Sequence, residues 1–422
     1  MNISIIGCGY VGAATGSCLA ALGNNIIFVD IDDNKIRSIT NGKFPIYEPG
    51  LDELLVYNRD NVRATTDIEM AVRLSDLSFI CVGTPSNADG SVNMTYINQS
   101  ASEIGHAIKQ KNSFHTIIIK STVLPGTTLN EIRPIIEKHS KMVAFKDFGL
   151  GMNPEFFKES SAINDLFNPD RIILGVNDKS TEDLLRKLYS SFKCPVFSCP
   201  IITAEMIKYT SNAFLATKIS FANEIGNICK KIGVDSEEVF KGVGMDSRIS
   251  PDFFRAGIGF GGSCFPKDLS ALIWFSERND IEPKILSAVW SVNNSQPFKM
   301  MDLLKKYIPD LQGKTIGVLG LAFKPETDDV RESRAIPIVQ KLLEEGAEVI
   351  VYDPVAMDNF KMFYPDLQYS EDAQSVLNSD AVLILTEWKI FESLDYSNNV
   401  VIDGRKIKGI KNNSREYEGV CW

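Results

Sequence analysis

The first thirty residues constrain the fold more than any other stretch of the chain. Ile3-Ser4-Ile5-Ile6 is a short apolar run, and Gly7-Cys8-Gly9-Tyr10-Val11-Gly12 follows it at once. Small and apolar residues fill Ala13 to Leu22, Gly23 stops them, and Ile26-Ile27-Phe28-Val29 closes on Asp30. This order predicts a strand, a glycine turn, a helix and a second strand. Glycine at 7, 9 and 12 allows a tight turn, close approach of a pyrophosphate, and close packing of helix on strand. The helix N-terminus adds amide donors and the positive end of a dipole. Asp30 would accept hydrogen bonds from a ribose diol and repel a 2′-phosphate, so the expected dinucleotide is NAD rather than NADP. Residues 2–29 carry no charged side chain. A charged leader is nevertheless missing and Asn24-Asn25 interrupts the run, which argues against a signal peptide or a membrane span.

Short apolar runs go on alternating with helical patterns. Leu77–Val82, Thr116–Ser121, Arg171–Val176 and Pro195–Phe197 read as strands, and strands separated by helices argue for a parallel sheet covered on both faces. From Ile202 to about Ile232 the period changes. Met206, Ile207, Thr210, Phe214, Ile219 and Ala222 allow one long helix, apolar around most of its circumference and expected to be buried on several sides. Such a helix is a core connector, or a connector that also carries a dimer seam. A loop-rich segment, Gly242 to Gly262, precedes a second helical region, Leu269 to Asn294. Thr315-Ile316-Gly317-Val318-Leu319-Gly320 then repeats the opening pattern, Glu348–Tyr352 ends in Asp353-Pro354, and Ala381–Leu385 and Val400–Asp403 supply further strands. The expected fold is α/β: two Rossmann-like doubly wound domains, residues 1–200 and 301–422, joined by a central helical region, 201–300, with its long connecting helix. A chain of 422 residues buries several such cores without covalent staples.

Charge and cysteine usage narrow the function classes. Lys plus Arg is 44 and Asp plus Glu is 54, a net charge of −10, so no global field draws the chain to nucleic acid or anionic lipid. An anionic ligand must be met by local basic groups. Eight cysteines are too sparse for a disulfide scaffold and lack metal-site spacing, which points to a reduced, cytoplasmic protein without a metal centre. His106, His115 and His139 are the three histidines and none adjoins a motif, so histidine-dependent catalysis is disfavoured.

Three further clusters carry chemistry. A free cysteine is most often a small buried hydrophobe, but Gly261-Gly262-Ser263-Cys264-Phe265-Pro266-Lys267-Asp268 flanks its cysteine with paired glycines and a Pro-Lys-Asp run. That setting predicts an exposed thiol at a loop-to-helix junction. Amide donors and Lys267 would lower its pKa, with Asp268 as a nearby acid or base. Lys208 and Asn212, at i and i+4, share one helix face. The lysine either snorkels to the surface or is held in a site. Asn153-Pro154-Glu155-Phe156-Phe157-Lys158-Glu159 sets two carboxylates four apart, either a solvated charged turn or one face of a short helix.

Gly7–Gly12, Asn153–Glu159, Lys208 with Asn212, Phe260–Asp268 and Phe323-Lys324-Pro325-Glu326-Thr327-Asp328-Asp329-Val330-Arg331-Glu332-Ser333 follow one another in this order. With these motifs the chain resembles, over essentially its whole length, the UDP-glucose/GDP-mannose dehydrogenase family. The resemblance implies oxidation of a sugar C6 alcohol to a carboxylate with two NAD and one water, without release of the aldehyde. Two hydride transfers need an intermediate that holds the aldehyde. A thiolate provides it as a thiohemiacetal, whose oxidation gives a thioester that water cleaves. By the resemblance Cys264 is the nucleophile, and Lys208 and Asn212 stabilise the alkoxide. Asp268 and a water near Thr122 handle the proton, Glu155 activates the hydrolytic water, and Glu159 lies near the nicotinamide. Cofactor contacts carry over onto Gly7, Gly9, Tyr10, Val11, Gly12, Asp30, Lys35, Thr84, Thr122, Glu159, Lys267 and Arg331. Substrate contacts carry over onto Glu155, Phe156, Phe157, Lys158, Glu159, Lys208, Asn212, Phe253, Phe254, Arg255, Ala256, Gly257, Gly261, Phe323, Lys324 and Arg405. Arg248 is expected to reach the partner's substrate site in a homodimer or a higher even oligomer.

Gly320-Leu321-Ala322-Phe323 lacks the full glycine pattern, which suits a nucleotide diphosphate sugar in the C-terminal domain better than a second NAD. The Phe260–Asp268 wording favours UDP-glucose as substrate, with GDP-mannose and UDP-N-acetylhexosamines as rivals. A non-catalytic NAD- or nucleotide-sugar-binding protein is the reading from another class. The intact Cys264, Lys208 and Asp268 argue against it.

Overall fold

A computed structural model describes residues 1–422. The chain divides into two units, Met1–Ser211 and Asn212–Trp422. In the first, β1 (Asn2–Ile6), α1 (Tyr10–Ala21) and β2 (Asn25–Val29) take the predicted order. Six more strands join them: β3 (Val62–Thr65), β4 (Leu77–Ile80), β5 (Thr116–Ile119), β6 (Gly149–Met152), β7 (Ile172–Val176) and β8 (Val196–Cys199). They form one sheet in the order β3-β2-β1-β4-β5-β6-β7-β8. Pairing is parallel except at β6–β7, where Met152 stands opposite Gly175. β4 and β5 are buried along their whole length, which is why they read as unbroken apolar runs rather than alternating ones.

The uncharged opening stretch is explained by how closely α1 lies on this sheet. Gly12 to Ala20 are all buried, and a Cβ on Gly16 would stand 2.4 Å from the Phe28 ring. Larger or charged side chains have no room there. No helix is long and apolar enough to cross a membrane.

The first unit runs into the second along α2 (Ile201–Ile232), the long helix predicted from the change of period. α2 has many buried positions, as its composition suggested, but it also leaves an apolar stripe open. Phe214, Phe221 and Ile228, spaced by seven, are each more than half exposed, whereas Ala213, Ala216 and Ala222 are buried. The expected helical region over Leu269–Asn294 is two helices, α3 (Phe265–Arg278) and α4 (Lys284–Ser295). Asp280 adopts φ +58 between them, and Pro283, without an N–H, cannot continue a helix from the preceding turn.

β9 (Thr315–Leu319), β10 (Glu348–Tyr352), β11 (Gln368–Tyr369), β12 (Ala381–Ile384), β13 (Tyr396–Asp403) and β14 (Ser414–Gly419) form the second sheet. It is parallel throughout, in the order β11-β10-β9-β12-β13-β14. This repeats the order of the first six strands of the first sheet, and both are doubly wound, with a switch point beside their first strand. Ala222 and Ile258 share a core with Val318 and Leu383, so the helices after Ser211 fold with this second sheet.

Candidate active site

In the first unit the glycine turn has the backbone that only glycine tolerates. Gly7 adopts φ +98, and a Cβ on Gly12 would lie 1.9 Å from the Gly7 carbonyl oxygen. A Cβ on Gly9, by contrast, would meet nothing within 4 Å, and no side chain caps α1 at Gly9. Asp30 accepts the Cys8 N–H at 2.8 Å and the Asp32 N–H at 3.1 Å, with Lys35 Nζ at 3.4 Å. Each carboxylate oxygen keeps acceptor capacity beyond these bonds. Thr84 and Thr122 follow β4 and β5 at the carboxyl ends of the strands, where open α/β sheets take their ligands. An uncapped helix end, an open glycine and an acid with acceptor capacity fit a dinucleotide.

Asn153–Glu159 leaves β6 as an irregular segment and forms no helix, so Glu155 and Glu159 do not share a helix face. Pro154 disfavours helical backbone at Asn153, and Asn153 is fully committed elsewhere. Its Nδ2 donates to Ile173 O at 2.9 Å, and its Oδ1 accepts from Tyr189 Oη at 2.6 Å and Lys120 Nζ at 3.0 Å. Glu155 is not solvated either: it is 7% exposed. Lys208, 3% exposed, donates to Glu155 Oε1 at 2.7 Å and to the Glu155 carbonyl at 2.8 Å. The lysine is therefore held in the unit rather than snorkelling. Phe156 lies beneath the Arg171 guanidinium, 4.2 Å from its centre, and 5.4 Å from Lys208 Nζ. Phe157 and Glu159 are partly exposed, and Lys158 Nζ stands 3.7 Å from Asp165.

Three buried charges here lay outside the sequence reading. Lys120, directly after β5, is pushed down to about 8 by burial and by the like charge of Lys208, with Cys81 and Glu155 opposing. Glu48 accepts the N–H groups of Ser160 at 2.7 Å and Ala162 at 2.8 Å. Glu205 accepts those of Gly126 at 2.6 Å and Thr128 at 2.8 Å. The two glutamates fasten the loops after β6 and β5 through backbone amides, and such pairing leaves no mark in a sequence. Lys120 does leave one: it ends an otherwise apolar strand one step before Ser121-Thr122.

In the second unit Cys264 occupies the N-cap position of α3, at the loop-to-helix junction, and is the one exposed residue among the eight cysteines. Burial pushes the Cys18, Cys81 and Cys421 thiols up to about 12, which makes them inert at neutral pH. The flanking glycines have a packing reason. A Cβ on Gly261 would lie 2.3 Å from Glu332 O, and one on Gly262 (φ +82) 2.7 Å from the Phe323 ring. Gly262 N also donates to Arg331 O at 2.9 Å, so the cysteine loop and the Phe323–Ser333 run are one packed unit. Asp268 is buried on α3, accepts Asn212 Nδ2 at 2.6 Å, and pairs with the Lys267 ammonium.

The expected substrate residues of this unit fall into a basic cluster. Arg255 donates to Glu387 at 3.0 Å and to Arg405 O at 2.5 Å. Arg405 donates to Leu385 O at 2.7 Å and to Phe323 O at 3.4 Å. Two guanidiniums thus share the single Glu387 carboxylate. Lys324 Nζ sits 5.5 Å from the Phe323 ring centre. A Cβ on Gly257 would stand 2.7 Å from Gly404 O, Phe253 adopts φ +65, and Phe254 stacks on Phe240 at 5.1 Å. Ala256 is buried. Arg331 is bound to Asp329, 2.7 Å from Nη2. Arg248 is exposed and pairs with Asp246 at 2.6 Å.

Residues 1–193 match the NAD binding domain of the UDP-glucose/GDP-mannose dehydrogenase family, 202–295 its central domain and 317–409 its UDP binding domain. A UDP-glucose 6-dehydrogenase of Haloferax volcanii is 44% identical over 419 residues, covering 96% of this chain and 97% of that protein. A GDP-mannose 6-dehydrogenase of Pseudomonas aeruginosa is 39% identical over 444 residues, covering 100% of both. The structure of a UDP-glucose dehydrogenase from Pyrobaculum islandicum superposes with a TM-score of 0.97 at 41% identity, covering 100% of this chain and 97% of that one.

Proposed function

The chain belongs to the UDP-glucose/GDP-mannose dehydrogenase family and is an NAD-dependent nucleotide-sugar 6-dehydrogenase; from that premise we propose that it oxidises UDP-glucose to UDP-glucuronate through a covalent intermediate on Cys264. One observation carries this reading: the chain's one exposed cysteine occupies the N-cap position of a helix whose first turn holds Asp268 in a buried bond to Asn212. Bound NAD supplies the hydride acceptor, once for each oxidation. Lys208 and Asn212 offer hydrogen-bond donors to the oxygen as it gains alkoxide character. Asp268, and a water near Thr122, take the proton. The Cys264 thiolate adds to the aldehyde as a thiohemiacetal, the second oxidation leaves a thioester, and Glu155 activates the water that cleaves it.

Residues 1–200 would hold the dinucleotide and 301–422 the UDP-sugar. Arg255, Arg405 and Lys324 give an acidic protein the local cations a diphosphate needs. GDP-mannose is the second reading, supported by the Pseudomonas aeruginosa relative. UDP-glucose is preferred on the wording of the cysteine loop and the closeness of the Pyrobaculum islandicum fold. Phe214, Phe221 and Ile228 form an exposed apolar stripe on α2 at heptad spacing. They support a homodimer through residues 201–300, with Arg248 directed to the partner's substrate. Eight cysteines without a disulfide suit a reducing cytoplasm.

Purified protein incubated with a nucleotide-sugar panel and NAD⁺ tests the reading. UDP-glucose should give two NADH per UDP-glucuronate, with nothing caught by a carbonyl trap. Cys264→Ser should abolish turnover, keep NAD binding and accumulate an ester. One NADH per sugar with trapped aldehyde, or near-normal turnover of Cys264→Ala, would refute the thioester route.

A further inference from the structure

Glu387 is an acid set among the cations that would hold a diphosphate, where an anion is out of place. It follows β12, Arg405 follows β13 and Phe323 follows β9, so the three stand at the carboxyl ends of neighbouring strands, beside the switch point of the second sheet. Its base is fastened on both sides: Thr386 Oγ1 donates to Ala322 O at 2.6 Å, and Trp388 Nε1 donates to Asp353 at 3.0 Å. From there Glu387 Oε1 accepts Arg255 Nη1 at 3.0 Å, and Oε2 stands 3.5 Å from Arg405 Nε. Oε2 is buried and accepts no hydrogen bond, because Arg405 Nε is committed to Leu385 O at 2.7 Å. What Oε2 makes with Arg405 is a contact of opposite charges.

The acid either takes the place of the phosphates or holds the arginines for them, and the donors decide between the two. A guanidinium has five N–H groups. Arg255 spends one on Glu387 and one on Arg405 O, and Arg405 spends one on Leu385 O and one on Phe323 O. Five less two leaves three on each, so Glu387 takes a single N–H and leaves the rest for a ligand. Arg255 needs holding. Its side chain is 59% exposed, and its loop carries Phe253 at φ +65, a backbone that bulky side chains disfavour. Its Nη2 is bonded to the carbonyl of a second arginine, and two like charges this close repel. We infer that Glu387 is a positioning residue for the nucleotide sugar: its carboxylate holds the guanidiniums of Arg255 and Arg405 side by side as one preformed receptor for a diphosphate. This rests on the reading of Arg255 and Arg405 as substrate residues. Removing the acid strengthens the bare attraction for an anion but also frees Arg255. The second effect wins, because a charge-assisted bond fixes a long side chain that binding would otherwise have to order.

Calorimetric titration of the full chain with UDP tests the inference. Glu387→Gln keeps the shape and removes the charge. UDP should bind it about tenfold more weakly than the wild type, and KM for UDP-glucose should rise by a similar factor with KM for NAD⁺ unmoved. In an Arg255→Met background the same substitution should weaken UDP binding no further, since the residue it acts through is gone. An equal loss in both backgrounds would show a merely structural role and overturn the inference. Tighter binding of UDP by Glu387→Gln would overturn it too, and would mark the acid as a rival of the phosphates. If the wild-type protein binds GDP and not UDP, UDP-glucose is the wrong substrate, and the same cycle read with GDP decides for Glu387. Binding of neither nucleotide would overturn the receptor itself.

Discussion

Lys208→Met separates the structural from the chemical use of one buried ion pair. Lys208 and Glu155 are 3% and 7% exposed, and the ammonium makes two bonds to the glutamate, at 2.7 Å and 2.8 Å. Methionine keeps most of the volume and leaves Glu155 as a buried anion without its cation. Breaking a buried pair from one side costs about 3–5 kcal/mol. The double variant Lys208→Met/Glu155→Leu removes both charges and should recover most of that loss, because replacing both partners by apolar groups is often neutral. Activity should behave otherwise. Losing one donor to a developing alkoxide costs about 2.7–4 kcal/mol, or roughly 10²–10³ in the first hydride transfer, and the double variant should regain none of it. All four tryptophans, 274, 290, 388 and 422, lie in the second unit, so tryptophan fluorescence misses this change. Urea unfolding followed by hydrogen exchange of the Asn153 N–H, bonded to Ile119 O at 2.9 Å, reads the first unit directly. NADH formation in a single turnover reads the chemistry. Unaltered protection in Lys208→Met, or a double variant that recovers both stability and rate, would refute the reasoning.

Two further outcomes follow from single residues. Asp30→Ala should erase a preference for NAD⁺ over NADP⁺ of at least about tenfold, roughly 1.4 kcal/mol, in kcat/KM. An unchanged ratio would show that Asp30 does not read the ribose. His115 is buried, with Nε2 2.8 Å from Ser78 Oγ and Nδ1 2.9 Å from Lys111 Nζ, and burial with the Lys111 charge pushes it down to about 3. Its folded pKa lies below its unfolded one, so the unfolded chain binds the extra proton and stability falls as pH drops from about 6.5 towards 3. Between pH 7 and pH 5 the loss should be about 2 kcal/mol. Denaturant titrations at the two pH values should show it in the wild type and not in His115→Asn; equal slopes in both would exclude His115 as the cause.

Much of this architecture is legible in the sequence because parallel sheets write themselves as apolar runs. β1, β2, β4, β5, β7, β9, β10 and β12 are such runs. The strands that escape notice are those without one. β3 is a half-exposed edge strand, β6 is Gly-Leu-Gly-Met, and half of β14 is charged. The cysteine loop reads correctly because its glycines answer to local sterics. The Asn153–Glu159 segment reads wrongly because i, i+4 spacing on paper ignores what Asn153 must bond to across the sheet. Lys208 could not be placed from sequence, since its partner Glu155 lies 53 residues away. Glu48 and Glu205 hold their loops through backbone amides, a pairing that carries no residue code at all.

The two sheets show where fold stops and ligand choice begins. Asp30 ends β2 and Asp353 follows β10. Both accept N–H groups from the turn after the first strand of their sheet: Cys8 for one, Leu321 and Ala322 for the other, at 2.8 to 3.1 Å. Gly7 and Gly320 both adopt left-handed backbone, φ +98 and φ +95. To that point the second unit copies the first. Then Trp388 Nε1 donates to the Asp353 carboxylate at 3.0 Å, and the acid is fully buried, whereas Asp30 keeps a partly open face. Leu321 and Ala322 stand after Gly320 where the first turn goes on to Gly9, beside which a Cβ would meet nothing. An indole over the acid and side chains in the turn remove what a ribose diol and a pyrophosphate would need. The strand order survives the change because it depends on the apolar faces of the sheet, and the ligand changes because it depends on a few groups at the strand ends.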